Sequence, residues 1–221
     1  MTDLITLKDP RAPAAEAFRV LRTNIQFSAL DQPIHTLLIT SAAADEGKGI
    51  TAANLAVTMA QGGSRVILVD ADLRRPSQGA LWKLPNERGL SAAILENLPP
   101  EALPLHSTAV EGLCVLTAGT PVPNPADLLG SKRMESLITA LKAQADYVLF
   151  DAPPVLAAAD APLLATKLDA TLLVLKAGST RRDHAQRAKE ALLRAKARII
   201  GVALTNAPRD SSLSIYGKAQ L

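Results

Sequence analysis

The sequence predicts an α/β protein with a doubly wound, mostly parallel sheet, on three observations. Continuous apolar runs such as Val66-Ile67-Leu68-Val69 and Val148-Leu149-Phe150 read as strands covered on both faces. Segments of helical period separate these runs, the alternation that a parallel sheet with crossover helices requires. Two runs end in aspartate and a third enters a glycine-containing turn, which puts polar chemistry at the carboxyl edge where such sheets bind ligands.

Pro13 suits the opening turn of a helix, and Phe18, Leu21, Ile25 and Phe27 can share its buried face to about residue 29. A strand is expected over 35–40, a helix over 48–61 closed by Gly62-Gly63, and a buried strand over 65–70. Together these make a βαβ unit. Further strands are expected over 113–117, 147–151, 170–175 and 199–205, with helices over 131–144 and 180–196. The proline-rich stretches 98–105 and 119–125 read as loops inside one domain, because strands of one type flank both. The chain thus divides into an N-terminal extension over 1–12, one domain over 13–207 and a polar tail over 208–221.

Composition narrows the function classes. The 221 residues are 48% hydrophobic, enough to fill one core and unlike a disordered chain. The single cysteine, Cys114, lies in the run Leu113-Cys114-Val115-Leu116, so it reads as a buried small hydrophobe, and no disulfide can form within the chain. No secretory h-region opens the sequence, and no apolar stretch approaches the roughly 20 residues of a membrane span, which predicts a cytoplasmic protein. Basic residues concentrate at Arg74-Arg75 and along Arg181, Arg182, Arg187, Lys189, Arg194, Lys196 and Arg198, although the net charge is only +3. The longer run reads as the solvated face of a helix. With aromatic residues at 3%, base stacking has few platforms, and no specific nucleic-acid partner is expected.

The strand Leu37-Leu38-Ile39-Thr40 runs through Ser41 and three alanines into Asp45-Glu46-Gly47-Lys48, the pattern of a phosphate-binding loop. In such a loop backbone N–H groups cradle phosphates, the lysine reaches the β/γ-phosphates, and the Ser or Thr that follows holds Mg²⁺. Here the following residue is Gly49, so that hydroxyl is missing. Asp70 and Asp72 close one apolar strand and Asp151 another. If both strands neighbour that of the loop, three carboxylates meet at its phosphate end, and Mg²⁺ with phosphate oxygens is their natural counter-charge. One aspartate at a strand end is ordinarily a turn or cap residue. Three of them beside Gly47-Lys48 point to a nucleotide site.

On these residues the chain resembles the cytoplasmic catalytic domain of bacterial tyrosine kinases, the P-loop autokinases of capsule and exopolysaccharide synthesis. Glu46-Gly47-Lys48 is similar to their Walker A core, Asp70-x-Asp72-x-Arg74 to the Walker A′ motif and Asp151-x-Pro153 to Walker B. Glu16, Arg19 and Arg22 match the spacing of the family's ring-assembly helix, and Pro123-Asn124-Pro125-Ala126-Asp127-Leu128-Leu129 resembles its loop before the next helix. The likeness runs from about residue 12 to 207. It implies a P-loop NTPase fold of the deviant-Walker, SIMIBI-like kind, with ATP or ADP and Mg²⁺ as cofactors. Lys48, Asp70, Asp72 and Asp151 would be catalytic, and the three aspartates would hold the metal through water. Asp45, Glu46, Gly47, Lys48, Gly49 and Ile50 would contact the nucleotide, with Asn206 beside the adenine. The resemblance further implies a homo-oligomeric ring through Glu16, Arg19 and Arg22. A separate membrane-anchored polysaccharide co-polymerase would activate the protein and hold it at the inner face of the membrane.

The chain departs from the family pattern in its loop. Where the family has Gly-Glu-Gly-Lys and two hydroxyl residues, this chain has Asp45-Glu46-Gly47-Lys48-Gly49-Ile50. Thr51 lies two residues past the metal position, about 200° around a helix, and cannot substitute. Water can replace one neutral Mg²⁺ ligand, so nucleotide binding is expected to survive with weak metal dependence, while turnover, which rests on positioning, is impaired. A carboxylate at Asp45 about 4 Å from phosphate would cost about 4 kcal/mol at an effective dielectric of 20, and about 1 kcal/mol if fully solvated. The family's tail carries a tyrosine cluster as phosphoacceptor, and this tail offers only Tyr216. Two alternatives stand beside the kinase reading. A positioning ATPase of the MinD/ParA type shares the fold but carries a signature lysine where this chain has Ala43. A non-catalytic scaffold for the co-polymerase differs from the kinase only in turnover.

Overall fold

The apolar runs pair into one sheet in the computed structural model, which describes residues 3–208. Its strands are β1 Thr36–Ser41, β2 Val66–Asp70, β3 Leu105–Ser107, β4 Leu113–Leu116, β5 Tyr147–Asp151, β6 Ala170–Lys176 and β7 Ile199–Thr205. Their order is β3-β4-β2-β5-β1-β6-β7, parallel throughout except for β3, which runs antiparallel to β4. Around it lie α1 Ile5–Lys8, α2 Pro13–Ser28, α3 Lys48–Gln61, α4 Gln78–Trp82, α5 Leu90–Leu95, α6 Pro125–Gly130, α7 Lys132–Gln144, α8 Asp160–Ala165 and α9 Arg182–Arg194.

The period-two alternation of the strands divides the core into two. Leu37, Ile39, Val66, Leu68 and Leu149 pack towards α1, α2 and α3. Leu38, Ile67, Val69, Val148 and Phe150 face the opposite way, against α5 to α9. Both faces are therefore covered, as the unbroken apolar runs require. The inner face of α3 is rich in small residues, Ala52, Ala53, Ala56 and Ala60, all buried with Leu55, Val57 and Met59.

Several sequence expectations shift. Asp70 and Asp151 are register partners on adjacent strands, but only β5 pairs with β1 on that side, so β2 lies one strand further out. The stretch 98–105, expected as loop, runs into β3, whose Leu105 pairs with Leu116. Phe27 is 65% exposed, because two residues from the buried Ile25 is about 200° around the helix. Cys114 is only half-buried, since β4 is flanked on its outer side by the three-residue β3 alone. The short helices α4, α5, α6 and α8 span one or two turns, too little for periodicity to reveal. Of the charged run over 181–198, Arg182, Arg187, Lys189 and Arg194 lie exposed on α9 as expected, whereas Arg198 lies beyond the helix, half-buried, and donates to the Ser28 and Gln32 carbonyls.

The segment before α2 is anchored. Leu4 is buried, and the fully buried Asn54 of α3 accepts from the Thr6 N–H at 3.1 Å and the Thr6 hydroxyl at 2.8 Å. Its amide donates to the Ile50 carbonyl at 2.9 Å, which fixes the side chain. Arg22 of α2 is also committed within the chain: Nη1 donates at 2.8 Å to the Thr58 carbonyl in the last turn of α3, which also accepts from the Gly62 N–H, a cation placed at the helix C-terminus. Among the described residues no helix is long and apolar enough to cross a membrane.

Asn54→Ala should destabilise the protein by about 1–3 kcal/mol, because the Thr6 donors lose their acceptor while buried. Urea denaturation measures the loss, and hydrogen exchange at the Thr6 amide should accelerate. Unchanged exchange there would show that α1 is held by its apolar contacts alone.

Candidate functional site

At the carboxyl end of β1 the chain turns through Ala42–Gly47 into α3, with Gly47 as N-cap at φ +85°. A side chain there would be strained, and its Cβ would press within 3.4 Å of Thr205. Thr205, at the end of β7, donates its hydroxyl to the Glu46 carbonyl at 2.8 Å, tying the loop to the far side of the sheet. Asp45 also holds a left-handed φ of +60°, a conformation aspartate tolerates better than most residues. Its side chain is exposed, which places its repulsion of a phosphate near the solvated figure of about 1 kcal/mol. The buried Glu46 carboxylate accepts from the Ala42 and Ala43 N–H groups at 2.8 and 3.1 Å and from the Thr180 hydroxyl. It braces the loop from within. Ile50 is largely exposed on the first turn of α3, and Thr51 is buried.

Lys48 reaches across this end of the sheet. Its Nζ lies 2.8 Å from Asp72 Oδ2 and 3.0 Å from Asp151 Oδ1, and both carboxylates are almost wholly buried. Burial by itself would lower the Lys48 pKa, but the attraction of Asp151 and Asp72 outweighs it and the net shift is upward. Asp70 is turned elsewhere, accepting from the Ser77 and Gln78 N–H groups at 2.9 and 2.8 Å. Burial, reinforced by neighbouring Asp151, pushes its carboxyl up to about 7. The three aspartates thus gather as expected, but Lys48 is the counter-charge of two and backbone amides engage the third. Among the described residues no three acidic, histidine or cysteine side chains are grouped as a ready metal cage.

Two residues that the sequence reading did not single out complete the site. Gln78 is fully buried, and its Nε2 donates to Asp151 Oδ2 at 2.8 Å and to the Gly49 carbonyl at 3.1 Å. Its Oε1 accepts from the Trp82 indole at 3.2 Å, so the amide is locked at both ends. Ser77 donates its hydroxyl to Asp151 Oδ2 at 3.2 Å. The signal available in the sequence was Pro76-Ser77-Gln78 just beyond the carboxylate motif, a serine after proline that also reads as an ordinary helix start. Asp160, buried at the start of α8, was also missed. It receives Arg74 in a bidentate pair, both bonds 2.9 Å, clamping the loop after β2 against α8.

The remaining candidates lie apart. Asn206 follows β7 at φ +53°, exposed, one residue past the Thr205 that touches the loop. Glu16 and Arg19 pair on α2 at 2.6 Å, and Arg19 also donates to the Pro10 carbonyl. Tyr216 lies outside the described residues.

A family model described as ParA, the NUBPL iron-transfer P-loop NTPase, matches residues 33–207. The tyrosine-protein kinase YwqD of Bacillus subtilis (strain 168) is 41% identical over 215 residues, covering 97% of this chain and 90% of that protein. The crystal structure of the chimerical protein CapA2B2 superposes with a TM-score of 0.89 at 35% identity, covering 93% of this chain and 90% of the other. The cell division ATPase MinD of Pyrococcus furiosus, with a TM-score of 0.66 at 22% identity over 80% of this chain and 74% of its own, shares the fold alone.

In metal-free protein Asp70 should make stability fall as pH rises. Below 3.8 folded and unfolded chains both hold its proton; from there to about 7 only the folded chain does, and above that the folded state carries the full cost of a buried charge. Urea denaturation in EDTA from about pH 5 to about pH 8 should show this decline, and Asp70→Asn should flatten it. A difference between the two proteins that does not change with pH would assign the proton elsewhere.

Proposed function

The chain belongs to the bacterial tyrosine-protein kinases, on the ParA-type P-loop NTPase fold, and from that premise we propose that it binds ATP or ADP with Mg²⁺ and acts as a tyrosine-kinase-like regulator of capsular or exopolysaccharide synthesis and chain length. The observation that carries the proposal is Lys48, held by Asp72 and Asp151 where the loop after β1 enters α3. A polyphosphate offers this ammonium stronger partners than two carboxylates, and the exchange frees Asp72 and Asp151 for a cation. Residues 45–50 contact the nucleotide, the loop N–H groups binding its phosphates, and Asn206 lies beside the base. Mg²⁺, when bound, neutralises charge on the transferring phosphoryl group. Gln78 holds Asp151 in orientation throughout, and Arg74 with Asp160 closes the wall behind it.

The phosphoacceptor in cis is Tyr216, and the activator is the cytoplasmic segment of a membrane-anchored polysaccharide co-polymerase, which places the protein peripherally at the membrane. Assembly into a ring proceeds through the exposed Glu16–Arg19 edge of α2. The MinD/ParA reading has less support: the ParA family model matches residues 33–207, but the MinD structure shares the fold alone and Ala43 stands at the signature position.

Purified protein given Mg-ATP and a co-polymerase cytoplasmic segment should acquire phosphotyrosine. Tyr216→Phe should abolish the signal, and Lys48→Met should lower it about 100-fold or more by removing the charge at the phosphates. Mass spectrometry and anti-phosphotyrosine blotting read both. Tight Mg-ATP binding without any phosphotyrosine in the presence of the segment would favour the scaffold reading instead.

Arg19→Ala should shift the oligomer to smaller species by light scattering with only a small drop in the thermal midpoint, because its pair with Glu16 is a surface one and its other bond is to the Pro10 carbonyl. Arg22 is a poor choice for that test, since it also caps α3. A wild-type protein already monomeric at high concentration would refute the ring.

A further inference from the structure

We propose that Ser77 supplies, from outside the P-loop, the hydroxyl ligand of Mg²⁺ that Gly49 cannot. The assignment rests on the nucleotide-binding reading above and goes beyond it in naming the donor. A Cβ built on Gly49 would lie 2.6 Å from Ser77 Oγ, 3.0 Å from Asp151 Oδ2 and 3.2 Å from Gln78 Nε2. The space that a serine at position 49 would claim already holds the hydroxyl of Ser77. Gly49 and Ser77 therefore form one steric unit: the glycine is what admits the serine.

Three further features fit the assignment. Ser77 occupies the N-cap position of α4 yet makes no capping bond; its hydroxyl is turned to Asp151 instead. Its hydroxyl is thus free of the duty that usually places serine there. It is half-buried, donating to Asp151 at 3.2 Å and accepting a long bond from Gln78 Nε2 at 3.5 Å. The neighbouring Gln78, locked by Trp82 and bonded to the Gly49 carbonyl, fixes the distance between the two loops. A hydroxyl beside a carboxylate is a donor pair of the hard oxygen type that Mg²⁺ takes, with waters and phosphate oxygens as its other ligands. On this assignment metal dependence survives the loss of the loop hydroxyl, which reverses the expectation drawn from the sequence alone. It also means that Gly49→Ser by itself crowds the site and does not repair it.

Titration calorimetry with ADP, with and without Mg²⁺, tests the assignment without any turnover. Wild-type protein should gain about tenfold or more in ADP affinity from Mg²⁺, and Ser77→Ala should reduce that gain to about threefold or less. Its metal-free ADP affinity should change by less than the Mg²⁺ gain does, and its thermal midpoint should fall only by the loss of one bond to Asp151. Ser77→Thr should keep the gain. Gly49→Ser combined with Ser77→Ala, which moves the hydroxyl back onto the loop and clears its space, should restore it, whereas Gly49→Ser alone should not increase it. If Ser77→Ala keeps the full Mg²⁺ gain, or weakens metal-free binding equally, the assignment is overturned and Ser77 only supports Asp151. If wild-type protein binds no ADP under either condition, the nucleotide reading falls and the assignment with it.

Discussion

Lys48 sits between two buried carboxylates, and the rest of the site is arranged around that charge. Two buried carboxylates side by side at the edge of an apolar sheet, Asp72 and Asp151, are costly without a cation within contact distance. The lysine, itself largely enclosed, needs the carboxylates in turn. The supporting contacts follow from this mutual demand. Gly47 turns the chain so that Lys48 opens α3, Gln78 donates to the free oxygen of Asp151, and the Ser77 and Gln78 amides carry Asp70. The arrangement is held closed by electrostatics that a phosphate can replace, which is the property a nucleotide site requires.

The deviant loop acquires a different meaning once its neighbours are seen. Read along the chain, Gly49 is a lost hydroxyl and Asp45 an added repulsion. In space, Asp45 faces solvent, where its charge is screened, and it pays only the small strain of a left-handed backbone. Gly49 leaves room that Ser77 and Gln78 occupy, and through Gln78 its carbonyl is tied to the same carboxylate that Lys48 binds. The substitution is part of a repacked corner between α3 and α4.

The same distinction applies to α2. Glu16, Arg19 and Arg22 share one motif, yet their physical commitments differ. Arg22 spends its guanidinium on the end of α3, whereas Glu16 and Arg19 pair at the surface, where the interaction is worth tenths of a kcal/mol or about 1 kcal/mol at most. Glu16 is the more available to a neighbouring protomer, while Arg19 also holds the Pro10 carbonyl.

The sequence by itself determined the parallel α/β class, the bounds of α3, β5 and β7, and the gathering of Asp70, Asp72 and Asp151 at the edge where Lys48 opens α3. Each of these is a local pattern: apolar runs of strand length, a glycine-lysine turn, and aspartates at strand ends. What only the tertiary structure decided depends on which strands become neighbours. The interposition of β5 between β1 and β2 brings residues 77 and 78 against residue 49, a meeting across about thirty positions that no periodicity encodes. The antiparallel β3 on the edge, the anchoring of Thr6 by Asn54 and the clamp of Arg74 on Asp160 belong to the same class. Hydrogen bonds and steric exclusion act over a few ångströms in space, so the partner of a polar side chain is legible only after the chain has folded.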